Sequence, residues 1–115
     1  MKHRFIISIM AVFLVAVFTG VSLAAGPNGN ARKGKYTYRK IYKKCAARGE
    51  IKARRPFISP SDKTMSQWKR IFETKAFDEF KCKKEWNALS DADRLDIYTY
   101  LYKHAADSPT PAKCK

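Results

Sequence analysis

The sequence predicts an all-α domain, a small bundle of about four helices. Apolar residues recur at helical spacing, capping residues precede them, and no convincing strand pattern occurs. The first helix is predicted at about 31–48, with Asn30 as its N-cap and Gly49 as its stop. Its apolar residues share one helical face: Tyr38, Ile41, Tyr42 and Cys45. Lysines and arginines occupy the opposite face, which is typical of a helix with one side against a core.

A second helix is predicted after a loop at residues 50–60, which contains Pro56 and Pro60. Ser61 or Asp62 is the expected N-cap, and the helix is expected to end near Lys75. Its apolar stripe comprises Met65, Trp68, Ile71 and Phe72.

Two further helical segments are predicted. The first ends near Leu89 and carries three aromatic residues: Phe77, Phe80 and Trp86. The second starts at a Ser90 cap, has Asp91 and Asp93 in its first turn to complement the helix dipole, and ends near Ala106. Its inward or flanking residues are Leu95, Ile97, Tyr98, Leu101 and Tyr102. The core is therefore expected to be aromatic.

The N-terminus has the features of a secretory signal peptide. A basic start is followed by an apolar run at residues 5–18, and small residues mark a cleavage site near Ala24 or Ala25. We therefore predict a signal peptide at 1–24, a helical domain at 25–115, and a periplasmic or secreted location. A retained membrane anchor is the alternative, because the apolar stretch is just long enough to span.

The chain is strongly basic, with 24 Lys plus Arg, 10 Asp plus Glu and a formal net charge of +14. Loss of Lys2 and Arg4 with the signal would leave 22 against 10, or +12. Such a surface attracts acidic proteins, polyanions or anionic lipid. Because an exported protein rarely meets nucleic acid, an acidic protein or a membrane surface is the expected partner. The alternative is that the lysines only keep a small domain soluble.

Three cysteines are present, Cys45, Cys82 and Cys114, all in the part predicted to be exported, where disulfides are stable. We expect Cys82 and Cys114 to pair, because the Pro-containing tail around Cys114 needs an anchor. Cys45 would then be a buried or a reactive thiol.

The segment Tyr42-Lys43-Lys44-Cys45-Ala46 has the frame of a c-type haem-attachment site. Such a site needs Cys-x-x-Cys-His, two thiols for the thioethers and an imidazole for the iron. Only the second thiol is present here.

The residues around this segment strengthen the likeness. Residues 29–50, which begin Gly29-Asn30-Ala31-Arg32-Lys33-Gly34-Lys35, resemble the opening helix of small exported class I cytochromes c. Residues 89–101 resemble their C-terminal helix, which packs across the first. The resemblance implies a cytochrome c-like fold, and it puts Cys45, Tyr42 and Ala46 where the family has its second cysteine, first cysteine and histidine.

The resemblance also sets the expectations for a cofactor. Haem c is the family cofactor, but the loss of the histidine removes the bond that holds iron and sets its potential, so we expect no cofactor. Cys45 is then a vestigial haem position, or the site of a single thioether. Met65 stands as a possible distal haem ligand, and His104 is expected to be a helix C-terminal residue.

Other chemistry has little support in the sequence. It contains no Cys-x-x-Cys pair, zinc-type cluster, phosphate loop or hydrolytic triad order, so we expect no enzyme activity. Three functions remain open. The first is a haem-free basic binding or accessory protein for an acidic periplasmic redox protein or a multihaem cytochrome. The second is a residual electron-transfer protein, and the third a cationic module that binds membrane surfaces or polyanions.

Overall fold

The structure is a computed structural model that describes residues 26–113. In that part the chain forms four α-helices: α1 at Ala31–Ala47, α2 at Met65–Thr74, α3 at Lys83–Asn87 and α4 at Asp91–Lys103. Two 3-10 helices, Pro60–Asp62 and Asp78–Phe80, lie between them, and no strand occurs among the described residues. The predicted all-α bundle is confirmed. The predicted signal peptide at 1–24 lies outside the described residues.

Helices α1 and α4 cross at Gly34, where the two backbones are in direct contact. A Cβ atom at Gly34 would overlap the carbonyl group of Asp96 on α4. Just before α1, the Gly29 amide donates to Thr99 Oγ1 and the Asn30 amide donates to the Asp96 carboxylate, both at 2.8 Å. The crossing therefore depends on a residue without a side chain and on two polar side chains of α4 that bind the start of α1.

The ends of α1 agree with the prediction. The Asn30 side chain accepts a hydrogen bond from the Lys33 amide, and Gly49 follows the helix with a φ of 90°. That left-handed conformation is one that glycine adopts without steric cost.

Helix α2 begins later than predicted. Pro60, Ser61 and Asp62 form a separate 3-10 turn, and Thr64 is the N-cap of α2 in place of Ser61 or Asp62. The Thr64 hydroxyl accepts from the Gln67 amide while the Gln67 side chain accepts from the Thr64 amide, which is a capping box. The helix ends at Thr74, and Lys75 takes a left-handed C-cap.

The third predicted segment is divided in two. Lys81 and Cys82 both have positive φ, 55° and 54°, so the 3-10 helix Asp78–Phe80 cannot continue into α3. Such a backbone is costly for residues with a Cβ and persists only where tertiary contacts impose it. The contacts at Cys82, described below, are of that kind.

The core is aromatic, as expected. Its largest fully buried side chains are Trp68, Trp86, Tyr38, Tyr42 and Phe80. Phe77 stacks on Trp86 with ring centroids 4.9 Å apart, and Trp68 stacks on Phe80 at 5.9 Å. Leu95, expected inward or flanking on α4, is 40% exposed, while Ile97 and Leu101 are buried.

The chain after α4 folds back on the domain. His104 is the C-cap of α4, as expected, and its Nδ1 lies 2.7 Å from the Thr110 carbonyl oxygen. The Ala106 amide donates to the Lys63 carbonyl oxygen. Among the described residues, none of the helices has both the length and the apolar character that a membrane span requires.

Candidate functional site: a disulfide-braced basic surface on α1

A disulfide joins Cys45, in the last turn of α1, to Cys82, the N-cap residue of α3. Both cysteines are fully buried. The predicted Cys82–Cys114 pair and the predicted free thiol at Cys45 are therefore wrong. The left-handed backbone at Cys82 turns the chain back toward α1, and no local sequence signal announces that turn. Cys114 lies outside the described residues.

A charged cluster covers the disulfide. The Arg48 guanidinium donates to both carboxylate oxygens of Glu85, at 2.7 and 3.0 Å, and to Glu50 at 2.8 Å. The second Glu50 oxygen accepts from the Cys82 amide at 2.6 Å. The hydrogen bonds from Arg48 lower the pKa of both glutamates. Arg48, the C-cap of α1, therefore also positions the start of α3 through its contacts with Glu50 and Glu85.

The residues around Cys45 do not fit covalent haem. The Cys45 sulfur is bonded to Cys82, and Ala46 offers no ligand atom. Tyr42, in the position of the missing cysteine, is fully buried and its hydroxyl donates to the Phe80 carbonyl oxygen at 2.9 Å. A thioether at Cys45 would require the disulfide to be absent.

Met65 lies at the first position of α2. Its amide donates to the Asp107 carboxylate at 2.8 Å, and its partly buried side chain packs against the hydrophobic core. These contacts show that Met65 contributes to the packing of α2. Its role as a distal haem ligand stays a prediction.

The exposed face of α1 carries no acidic residue to balance its charge. Its cations are Arg32, Lys33, Lys35, Arg39, Lys40, Lys43 and Lys44. The ion pairs of the described residues use Arg48, Lys63, Lys69 and Arg94 instead. The charge of α1 is therefore available to an external anion.

A groove of about 520 Å³, which we call the basic groove, runs between α1 and the segment 54–60. Five of its lining residues are cations and none is acidic: Arg39, Lys40, Lys43, Arg54 and Arg55. Its aromatic lining residues include Tyr36 and Phe57, which are 70% and 49% exposed. Exposed aromatic rings among unpaired cations are typical of a binding surface.

Buried contacts hold the wall of the basic groove in place. The hydroxyl of the buried Tyr38 donates to the Ile58 carbonyl oxygen at 2.8 Å, and Trp68 Nε1 donates to the Pro60 carbonyl oxygen at 2.9 Å. The Phe57 and Tyr42 rings are nearly perpendicular with their centroids 5.6 Å apart, and Lys81 Nζ lies 5.8 Å from the Phe57 ring centre. The core thus fixes segment 54–60 against α1.

A second groove, of about 450 Å³, lies on the other flank of α1, beside α3. Its cations are Lys33, Lys40, Lys44 and Lys84. Two carboxylates also line it, Glu85 and Asp93, and the first of these is already bound by Arg48. The two grooves share Tyr36 and Lys40, so these two side chains form a ridge between them.

Sequence reasoning found the charge but missed the grooves. The available signals were the absence of acidic residues from α1 and the run Lys52-Ala53-Arg54-Arg55 in the following loop. The packing of this loop on α1 is a tertiary contact that the sequence does not indicate. Tyr38 and Tyr42, which contact the loop, were predicted only as core residues.

No protein-family model, no curated protein and no solved structure matches this chain. The resemblance to class I cytochromes c therefore rests on residues 29–50 and 89–101 alone.

Proposed function

We propose that this protein is an exported, non-enzymatic binding protein that holds an acidic partner protein in its basic groove. The observation that carries the proposal is the composition of that groove, five cations and exposed aromatic rings with no carboxylate. Opposite charges across an interface steer association and select the partner, and desolvated aromatic rings supply affinity.

The proposed setting is periplasmic electron transfer, where the protein would act as an accessory to an acidic redox protein or a multihaem cytochrome. Export rests on the signal-peptide pattern at 1–24, and the redox partner rests on the cytochrome c-like motifs. The disulfide between Cys45 and Cys82 supports an oxidising compartment. It also leaves the haem-carrying alternative without its attachment sulfur.

A second candidate function is binding to an anionic membrane surface. Tyr36 and Phe57 are exposed beside lysines and arginines, a combination that suits the boundary between lipid headgroups and water. This candidate differs from the first in its ligand and shares the same surface.

Binding measurements on the processed, oxidised protein test both candidates. The ligands are poly-L-glutamate, the acidic redox proteins of the same periplasm, and phosphatidylglycerol vesicles. The groove variant is Arg54→Gln/Arg55→Gln, and the control variant is Arg70→Gln/Lys103→Gln, which removes the same charge from exposed positions outside both grooves.

We expect the groove variant to bind the acidic proteins about tenfold more weakly, since each lost contact between exposed charges contributes up to about 1 kcal/mol. The control variant should change affinity less than twofold. Equal losses from the two variants would mean that only net charge matters, and the groove would have no role. Tight binding to vesicles with no binding to acidic proteins would favour the second candidate.

A further inference from the structure

The two grooves on α1 adjoin each other and share two lining side chains. Tyr36 and Lys40 belong to both grooves, so the ridge between them is a single row of side chains. A folded protein face would rest on this ridge. A flexible chain could pass over it and enter both sides.

We propose, on the basis of the function proposed above, that the partner presents an extended acidic segment that crosses α1 from the basic groove into the second groove. The recognised element is then a short acidic peptide. It has carboxylates with an aromatic side chain at one end and an apolar side chain followed by a carboxylate at the other.

The chemistry of each groove assigns the order of these groups. The basic groove has no carboxylate and exposes Tyr36 and Phe57, so it suits acidic side chains and a partner aromatic ring. The second groove is lined by the apolar residues Ile41, Ala88 and Leu89 and by four lysines. It therefore suits an apolar side chain whose neighbouring carboxylate contacts a lysine.

The dimensions set the length of the segment. A helix with its side chains is about 10–12 Å across, and an extended chain advances about 3.3 Å per residue. Three to four residues are therefore needed to cross the ridge, and about two more enter each groove. A segment of about eight residues is the shortest that contacts both.

The charge distribution supports the same path. Lys33, Lys40 and Lys44 of α1 and Lys84 of α3 all line the second groove, and Lys40 lines the basic groove as well. Of the two carboxylates in the second groove, Glu85 is bound through both of its oxygens by Arg48, and four lysines outnumber the two carboxylates. The path therefore keeps an excess of positive charge from one groove to the other.

Peptide binding to the oxidised protein tests the proposal, with calorimetry as the readout. The long probe is an octapeptide with Glu-Glu-Phe at one end and Leu-Glu at the other. The short probe is a tetrapeptide with the Glu-Glu-Phe end alone. The second-groove variant is Lys33→Gln/Lys84→Gln, and Arg70→Gln/Lys103→Gln is again the charge-matched control. All four positions are exposed, so the fold is expected to persist, and circular dichroism checks it.

We expect the octapeptide to bind about tenfold more tightly than the tetrapeptide, because the second contact becomes intramolecular. The second-groove variant should weaken octapeptide binding about fivefold and leave tetrapeptide binding unchanged. Replacement of the probe's Leu by Gly should remove most of the gain.

Equal affinity for the two peptides, or an equal effect of Lys33→Gln/Lys84→Gln on both, would overturn the proposal that the segment crosses α1. The proposed function would still stand if the tetrapeptide bound and Arg54→Gln/Arg55→Gln weakened that binding. If neither peptide binds while the acidic proteins do, the crossing segment is overturned and the proposed function stands; if neither the peptides nor the acidic proteins bind, both proposals fail. Tighter binding of an eight-nucleotide oligothymidylate or of phosphatidylglycerol vesicles than of the octapeptide would also overturn the proposal, since another polyanion would then be the preferred occupant.

Discussion

The two faces of α1 differ in almost every physical property, although the same 17 residues form both. One face packs Gly34 against the backbone of α4 and buries Tyr38, Ile41, Tyr42 and Cys45. The other face carries seven cations and exposes Tyr36 to water. The first face has no room for an added atom at Gly34, while the second is open to a partner.

The contrast teaches that stability and binding are separable along one helix. Substitutions on the packed face should change the free energy of unfolding, because they alter buried contacts. Substitutions on the cationic face should change affinity and leave stability within about 0.5 kcal/mol, as exposed positions usually do.

The largest loss of stability should follow removal of the disulfide, which lies at the C-terminal end of the packed face. Cys45→Ala/Cys82→Ala removes a crosslink between residues 37 apart, and loop-closure entropy puts the loss of stability at about 4 kcal/mol. Urea unfolding of this double variant checks the value. Alkylation of the unreduced protein should label Cys114 alone. Labelling of Cys45 or Cys82 would contradict the pairing.

The next largest effect should come from Gly34→Ala. The new Cβ overlaps the Asp96 carbonyl group, so α1 and α4 must separate, and we expect a loss of about 3 kcal/mol. Lys35→Ala is the matched control, since it places the same residue one position along on the exposed face. Similar stabilities for the two variants in thermal unfolding would show that the helices do not meet as described.

The smallest expected effect is a loss of folding stability at alkaline pH. Burial raises the pKa of Tyr42 to about 12 and raises that of Tyr38 as well. An unfolded tyrosine ionises near pH 10, so stability that is complete below about pH 10 should be lost as pH rises toward 12.

Urea unfolding at pH 8 and pH 11 measures this loss. Tyr42→Phe should reduce the difference between the two pH values by about 1 kcal/mol, because one late-titrating group is gone. Tyr36→Phe, on the cationic face, should leave the difference unchanged. The same difference in both variants would contradict the contribution assigned to Tyr42.

The ends of α1 and the start of α4 could be predicted because their signals are local. Asn30 and Ser90 accept hydrogen bonds from amides three residues later, and Gly49 lies next to the helix it ends. The predicted start of α2 is wrong by a few residues. Pro60–Asp62 forms a separate 3-10 turn, and Thr64 caps the helix through a capping box with Gln67.

The disulfide and the break at Lys81 and Cys82 could not be predicted. Their cause is the contact of Cys82 with Cys45 and with Glu50, 32 residues earlier in the chain. Composition indicates a basic surface, but nothing local indicates that Arg54 and Arg55 line the same groove as Arg39.

The sequence by itself determined the helical class, the aromatic core and the excess of positive charge, because periodicity, capping and charge depend on near neighbours along the chain. Only the tertiary structure decided which cysteines pair, why residue 34 must lack a side chain, and where the cations gather beside exposed aromatic rings. Those features depend on distances between residues far apart in sequence, and such distances exist only after α1 has packed against α4 and segment 54–60 has folded onto α1.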